Sequence, residues 1–211
     1  MTRRREAFVP AHPGLNFGDR HPRAHRMAET EVFGFWIFMM SDLIVFGLLI
    51  ATYVTMLGAT AGGPGPADLF DLGSAFGQTM LLLASSFAFG MAMVAMKYAS
   101  TARPMVAWLL VALALALGFL LWELSDLAGM LERGAGPSRS GYLSAFWALV
   151  PLHGLHVALA SLWLLAILAQ VWFHGLDDPA KTALIRLSVL WHFLDVVWIG
   201  IVSTVYLGGL A

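Results

Sequence analysis

The chain contains no cysteine and little charge. The first absence removes disulfides, thiolate-bound zinc, iron–sulfur clusters, thiolate-bound copper and covalently attached c-type haem. The second is as informative. Asp, Glu, Lys and Arg make up 12% of the 211 residues, about half of the ~25% usual in soluble domains. Hydrophobic residues reach 59% and the mean hydropathy is +0.77, more apolar side chain than one soluble core could hide. Strand-like alternation, internal repeats and a soluble domain are all lacking. An integral membrane protein is the reading that remains.

The first thirty residues also lack something. They hold basic residues but no apolar core segment and no small-residue cleavage site, so they do not read as a secretory signal. Pro10, Pro13 and Pro22 with several Gly and His suggest an irregular basic arm over residues 1–30. Beside a membrane span such an arm reads as an orientation signal rather than a nucleic-acid contact.

What is present is five long apolar runs, at about 32–57, 75–98, 104–124, 142–173 and 184–210. Each supplies at least the ~20 residues that cross ~30 Å of hydrocarbon as a helix. The expected fold is an all-α bundle of five transmembrane helices over residues 31–211. Its connectors are polar or breaker-rich. "GATAGGPGPADLFDLG" reads as a loop, and "DDPAK" as a helix start with Asp at the cap and Pro at the first helical position. Ten Lys and Arg (Arg3, Arg4, Arg5, Arg20, Arg23, Arg26, Lys97, Arg103, Lys181, Arg186) fall on one side of five alternating spans, and only Arg133 and Arg139 on the other. Cytoplasmic loops collect Lys and Arg, so the N-terminus is expected in the cytoplasm and the C-terminus in the periplasm. Gly73 with Gly77, and Gly154, Ala158 and Ser161 along the fourth run, are small-residue patterns suited to close helix approach.

The polar groups inside these runs are the candidate site. Asp42 lies ~15 Å into the first run and Asp195 ~16 Å into the fifth, from the same side. An ionised carboxylate at that depth costs several kcal/mol unless paired, hydrated or protonated. Both should face protein or a water-filled cavity, either as proton-relay groups or as packing groups. His192 shares a helix face with Asp195, and the two are expected to satisfy each other or neighbouring helices. His153 and His156 in "HGLH" could chelate a metal at i, i+3. Core histidines satisfied by hydrogen bonds are the alternative reading, and His192 lies too shallow to join them. Glu123 closes the third run, with Asp126 just beyond. His12, His21, His25 and His174 fall outside the runs.

Three of these stretches together, "GFWIFMMSDLIVF", "LHGLHV" and "WHFLDVVWI", resemble subunit III of the haem–copper respiratory oxidases in order and spacing. The resemblance covers nearly all of residues 32–211. Five spans rather than seven, "GATAGGPGPADLF" and "GPSRSGYLSAF" are most similar to the cytochrome bo-type ubiquinol oxidase branch. The resemblance implies a non-catalytic subunit of a proton-pumping terminal oxidase in a bacterial inner membrane. It implies partners in subunits I, II and IV, in phospholipids and in ubiquinone. It places haem b, haem o or a, and copper in subunit I, with no cofactor, metal or nucleic acid on this chain. Asp42 matches the family's buried carboxylate, usually Glu after Ser, which is linked to proton uptake and lipid-cleft integrity. His153, His156, His192, Asp195 and Glu123 match positions best read as structural or lining a lipid cleft, and none as catalytic. Subunit III of a cytochrome c oxidase, and a small stand-alone transporter or proton channel using Asp42 and Asp195, are the alternative readings.

Overall fold

The computed structural model describes residues 22–65, 69–99 and 101–208, with side chains from Glu29 onward. The expected basic arm falls largely on residues 1–21, outside the described residues. Five long helices follow one another: α1 Pro22–Met56, α2 Leu72–Tyr98, α3 Arg103–Glu132, α4 Gly141–His174 and α5 Asp178–Ile201. A short π-helical turn, Val202–Leu207, extends α5. The described residues contain no strand. All five helices are long and apolar enough to cross a membrane.

Local chemistry sets the helix ends. Asp71 caps α2 by accepting from the backbone N–H groups of Gly73 and Ser74. Ser140 caps α4 through the N–H of Leu143. Asp177 caps α5 through the N–H of Ala180, so "DDPAK" starts a helix, with Pro179 at the second helical position rather than the first. Gly175, at φ 79°, ends α4 in a conformation that costs an L side chain strain. α1 begins at Pro22, inside the segment expected to be irregular. α3 runs to Glu132, past the apolar limit at Leu124, because a helix need not stop where hydrocarbon does.

α4 and α5 form the middle of the bundle. α1 packs against both; α2 packs on α5 and α3 on α4, with α2 and α3 joined as a hairpin. The share of buried residues follows this order: 11% of the most apolar window of α1 against 44% for α5. α1 enters the core through Met39, Phe46 and Tyr53, seven residues apart, the spacing of a narrow packing seam. Its other faces expose Phe33, Ile37, Phe38, Ile44 and Leu48, suited to lipid or to another subunit. Arg186 lies 3.8 Å from Glu31, joining the starts of α5 and α1 at one end. At the other end the Tyr53 hydroxyl lies 3.4 Å from that of Tyr142, and the N–H of Tyr142 donates to Ala59 O.

The small-residue patterns work differently from backbone-to-backbone crossings. A Cβ on Gly77 would stand 2.5 Å from the Trp122 ring, so this glycine makes room for an indole of α3. Gly73 meets only its own cap, Asp71. A Cβ on Gly154 would stand 2.8 Å from a carboxylate oxygen of Glu123.

Candidate functional site

Asp42 lies on the packing seam of α1, between Met39 and Phe46, three residues after one and four before the other. Its Oδ2 is 3.3 Å from Nε2 of His156 on α4, and both side chains are largely buried. The other ring nitrogen of His156, Nδ1, is 2.8 Å from Leu152 O. A carbonyl oxygen can only accept, so Nδ1 carries hydrogen. Nε2 would then point a lone pair at a carboxylate oxygen unless one further proton lay between them. With the ring protonated, the pair is imidazolium against carboxylate. Such a pair is neutral overall, which removes most of the cost of placing two polar groups in a membrane span.

His153 sits one helical turn away and is wholly buried. Its Nε2 donates to Leu194 O at 3.2 Å. Its ring stacks on Trp198 at 5.1 Å and 30°, with Phe119 and Phe46 edge-on at 5.9 and 6.4 Å. Phe46 also packs edge-on against His156 at 5.2 Å. This aromatic box fixes both histidines of "HGLH" against α1 and α5.

His192 turns away from them. Its Nδ1 is 2.6 Å from the Ser86 hydroxyl on α2, and the preceding residue, Trp191, donates its indole N–H to Ser85 at 3.1 Å. Trp198 donates to Thr79 at 3.1 Å. Three bonds thus stitch α5 to α2. Asp195 is buried on the same helix, with Oδ1 lacking a hydrogen-bond partner among the described residues. His192 and Asp195, at i, i+3, do not bond each other; both face the Ser86 hydroxyl of α2.

Glu123 on α3 is only 4% exposed, and neither carboxylate oxygen has a hydrogen-bond partner among the described residues. It presses on Gly154. One turn on, Asp126 is well served by comparison: it accepts from Gln78 at 2.8 Å and from the Ser74 hydroxyl.

The six sequence-singled residues therefore fall into separate places. Asp42 and His156 meet; His153 lies beside them; His192, Asp195 and Glu123 do not join. Among the described residues no three His, Asp or Glu side chains gather closely enough for a metal. Each intramembrane histidine already spends a ring nitrogen on a bond within the chain. Among the described residues the histidines thus form no metal centre of three or more ligands. Phe46, Ser86 and Gly154 were not singled out for these roles, although the seven-residue spacing of Met39, Phe46 and Tyr53 is a signal that could have found the first.

Comparison with known sequences decides the lineage. The family described as "Cytochrome c oxidase subunit III" matches residues 19–210. The chain is 40% identical over 192 residues to "Cytochrome bo(3) ubiquinol oxidase subunit 3" of Pseudomonas aeruginosa, covering 91% of each. It is 41% identical over 185 residues to the like-named protein of Pseudomonas putida, covering 88% of this chain and 89% of that one. It is 37% identical over 182 residues to "Quinol oxidase subunit 3" of Bacillus subtilis, covering 86% and 89%. The chain belongs to the cytochrome c oxidase subunit III family. The resemblance resting on "GFWIFMMSDLIVF", "LHGLHV" and "WHFLDVVWI" is borne out. In this subunit III those three stretches are also what the fold brings together: the first two supply Asp42 and His156, and the third supplies Trp198, on which His153 stacks.

Proposed function

We propose that this chain is subunit III of a haem–copper quinol oxidase, a multi-pass protein of the bacterial inner membrane that contributes no redox centre. The observation that supports this most is the extent of the match: relatives named as quinol oxidase subunit 3 align over about nine-tenths of both chains. The haems and copper lie in subunit I, and this chain works in complex with other oxidase subunits, subunits I, II and IV by our reading. Its role is to brace subunit I and hold phospholipid against it, which sustains turnover rather than performing it. The exposed apolar faces of α1 suit that role. The lopsided Lys and Arg distribution supports an N-terminus in the cytoplasm and a C-terminus in the periplasm.

The experiment is purification in mild detergent through a tag on this chain. Haem absorbance and larger subunits should come with it, while the chain separated from them should be colourless. A chain that purifies alone, and drives proton or solute flux when reconstituted, would instead mean a stand-alone transporter. The electron donor is tested next door: a copper-ligating motif in the neighbouring subunit II would mean cytochrome c in place of quinol.

A further inference from the structure

Between α3 and α4 lies a cavity of about 300 Å³ that includes Glu123. Leu120, Leu124 and Leu127 of α3 and Pro151, Leu155 and Ala158 of α4 form its walls, and Gly154 its floor. Glu123 is the single titratable side chain lining it. Leu124 and Leu155 at its rim are 61% and 54% exposed, so it opens on the outer face of the bundle, where the membrane lies. Gly154 lets the carboxylate settle against the floor, since a Cβ there would collide with it. A buried carboxylate whose two oxygens both lack a donor costs far more than a satisfied one. The cavity therefore has a stated chemistry: an apolar body of modest size that offers one hydrogen-bond donor and arrives through the bilayer.

That chemistry separates the membrane's amphiphiles. A phospholipid head group brings an anionic phosphate. That phosphate must enter with any ammonium the head group carries, and no Lys, Arg or hydroxyl lines the walls to receive it. A hydroquinone is neutral, flat and apolar around its ring, with phenolic O–H donors. We propose that this α3–α4 cavity binds a ubiquinol head group, one phenolic O–H donating to Glu123 and the ring lying between the leucines. The proposal rests on the quinol-oxidase reading and gives that substrate a holding place on subunit III. The chain takes no electron from it.

The test uses the assembled oxidase and a ubiquinol analogue with a photoreactive diazirine on a short isoprenoid tail. Illumination should cross-link the probe to segment 120–158 of this chain. Glu123→Leu should reduce that labelling roughly tenfold, the loss expected for one hydrogen bond to a charged group. Leu155→Trp fills the mouth without touching the carboxylate, replaces a side chain already exposed, and should reduce labelling by as much. Asp42→Asn should leave it unchanged. Labelling confined to other subunits overturns the proposal, as does labelling of this segment that neither variant weakens. If the wild-type segment is unlabelled and either variant releases the chain from its haem-bearing partners, the cavity instead receives a partner's side chain. A wild-type chain that never co-purifies with haem fails the functional reading itself, before any probe is added.

Discussion

Two residues of α4, Gly154 and His156, look out on opposite sides of one helix, being about 200° apart around its axis. Each meets a carboxylate from a neighbouring helix. On the α1 side, His156 gives Asp42 a partner at 3.3 Å. On the α3 side, Gly154 gives Glu123 only space. The same electrostatic problem is solved on one seam within the chain and left on the other for something outside it. A fully self-satisfied bundle would need no such opening. This one is built to be completed by its surroundings on the side of α3.

The largest way to break that contrast is at the floor of the cavity. Gly154→Leu drives a bulky side chain into Glu123 and should destabilise the α3–α4 seam by about 3 kcal/mol, at the upper end for overpacking. The expected sign is poor accumulation in the membrane, or a clear drop in the temperature at which the subunit leaves the complex. Next is the partner of Asp42. His156→Leu strands the carboxylate and should cost about 2 kcal/mol. The double variant Asp42→Leu/His156→Leu should recover a good part of that, giving a coupling of about 1 kcal/mol or more by thermal dissociation. Additive losses would mean the pair is only a neighbourhood.

A subtler change separates the charge from the packing. In Asp42→Asn the new amide can donate to Nε2 of His156, whose Nδ1 still donates to Leu152 O. Geometry survives, so stability should shift by less than ~1 kcal/mol, while the carboxylate is gone. The initial rate of the oxidase should stay nearly intact and its active lifetime should shorten, read as product formed before inactivation. An immediate and complete loss of turnover in a correctly assembled complex would give Asp42 a direct part in the reaction. An unchanged lifetime would reduce it to packing.

How much of this was legible before the fold? The five spans were, because ~20-residue apolar runs answer to a bilayer of fixed thickness. Their ends were less so. α3 continues through Ser125, Asp126 and Glu132, and polar residues beyond the hydrocarbon leave hydropathy blind to a helix that goes on. The helix start at "DDPAK" was legible because capping is local, although the cap falls on Asp177, one residue earlier than a Pro at the first helical position implies. The polar residues worth attention were legible as well, since any carboxylate in an apolar run is conspicuous. Their partners were not. Asp42 finds His156 and His192 finds Ser86 across helices far apart in the chain, and no spacing rule reaches that far. Gly77 shows the same limit: its pattern with Gly73 suggested backbone contact, whereas the fold uses the space for Trp122.

The smallest expected effect is the sharpest discriminator. Glu123→Leu removes a carboxylate that has no bond to lose within the described chain. It replaces it with an apolar group among leucines, so the fold should change by no more than ~1 kcal/mol and can even gain, as when buried unpaired charges become hydrophobic. Asp42→Leu, on the other seam, removes the partner of a buried imidazole and should lose stability measurably under the same assay. Thermal dissociation of the two variants side by side decides the matter. If Glu123→Leu costs as much as Asp42→Leu, then Glu123 has a donor in the assembled complex that holds even when the cavity is empty of ligand. That donor would be a neighbouring subunit's side chain, and α3 would be part of an interface rather than the wall of a lipid-facing site.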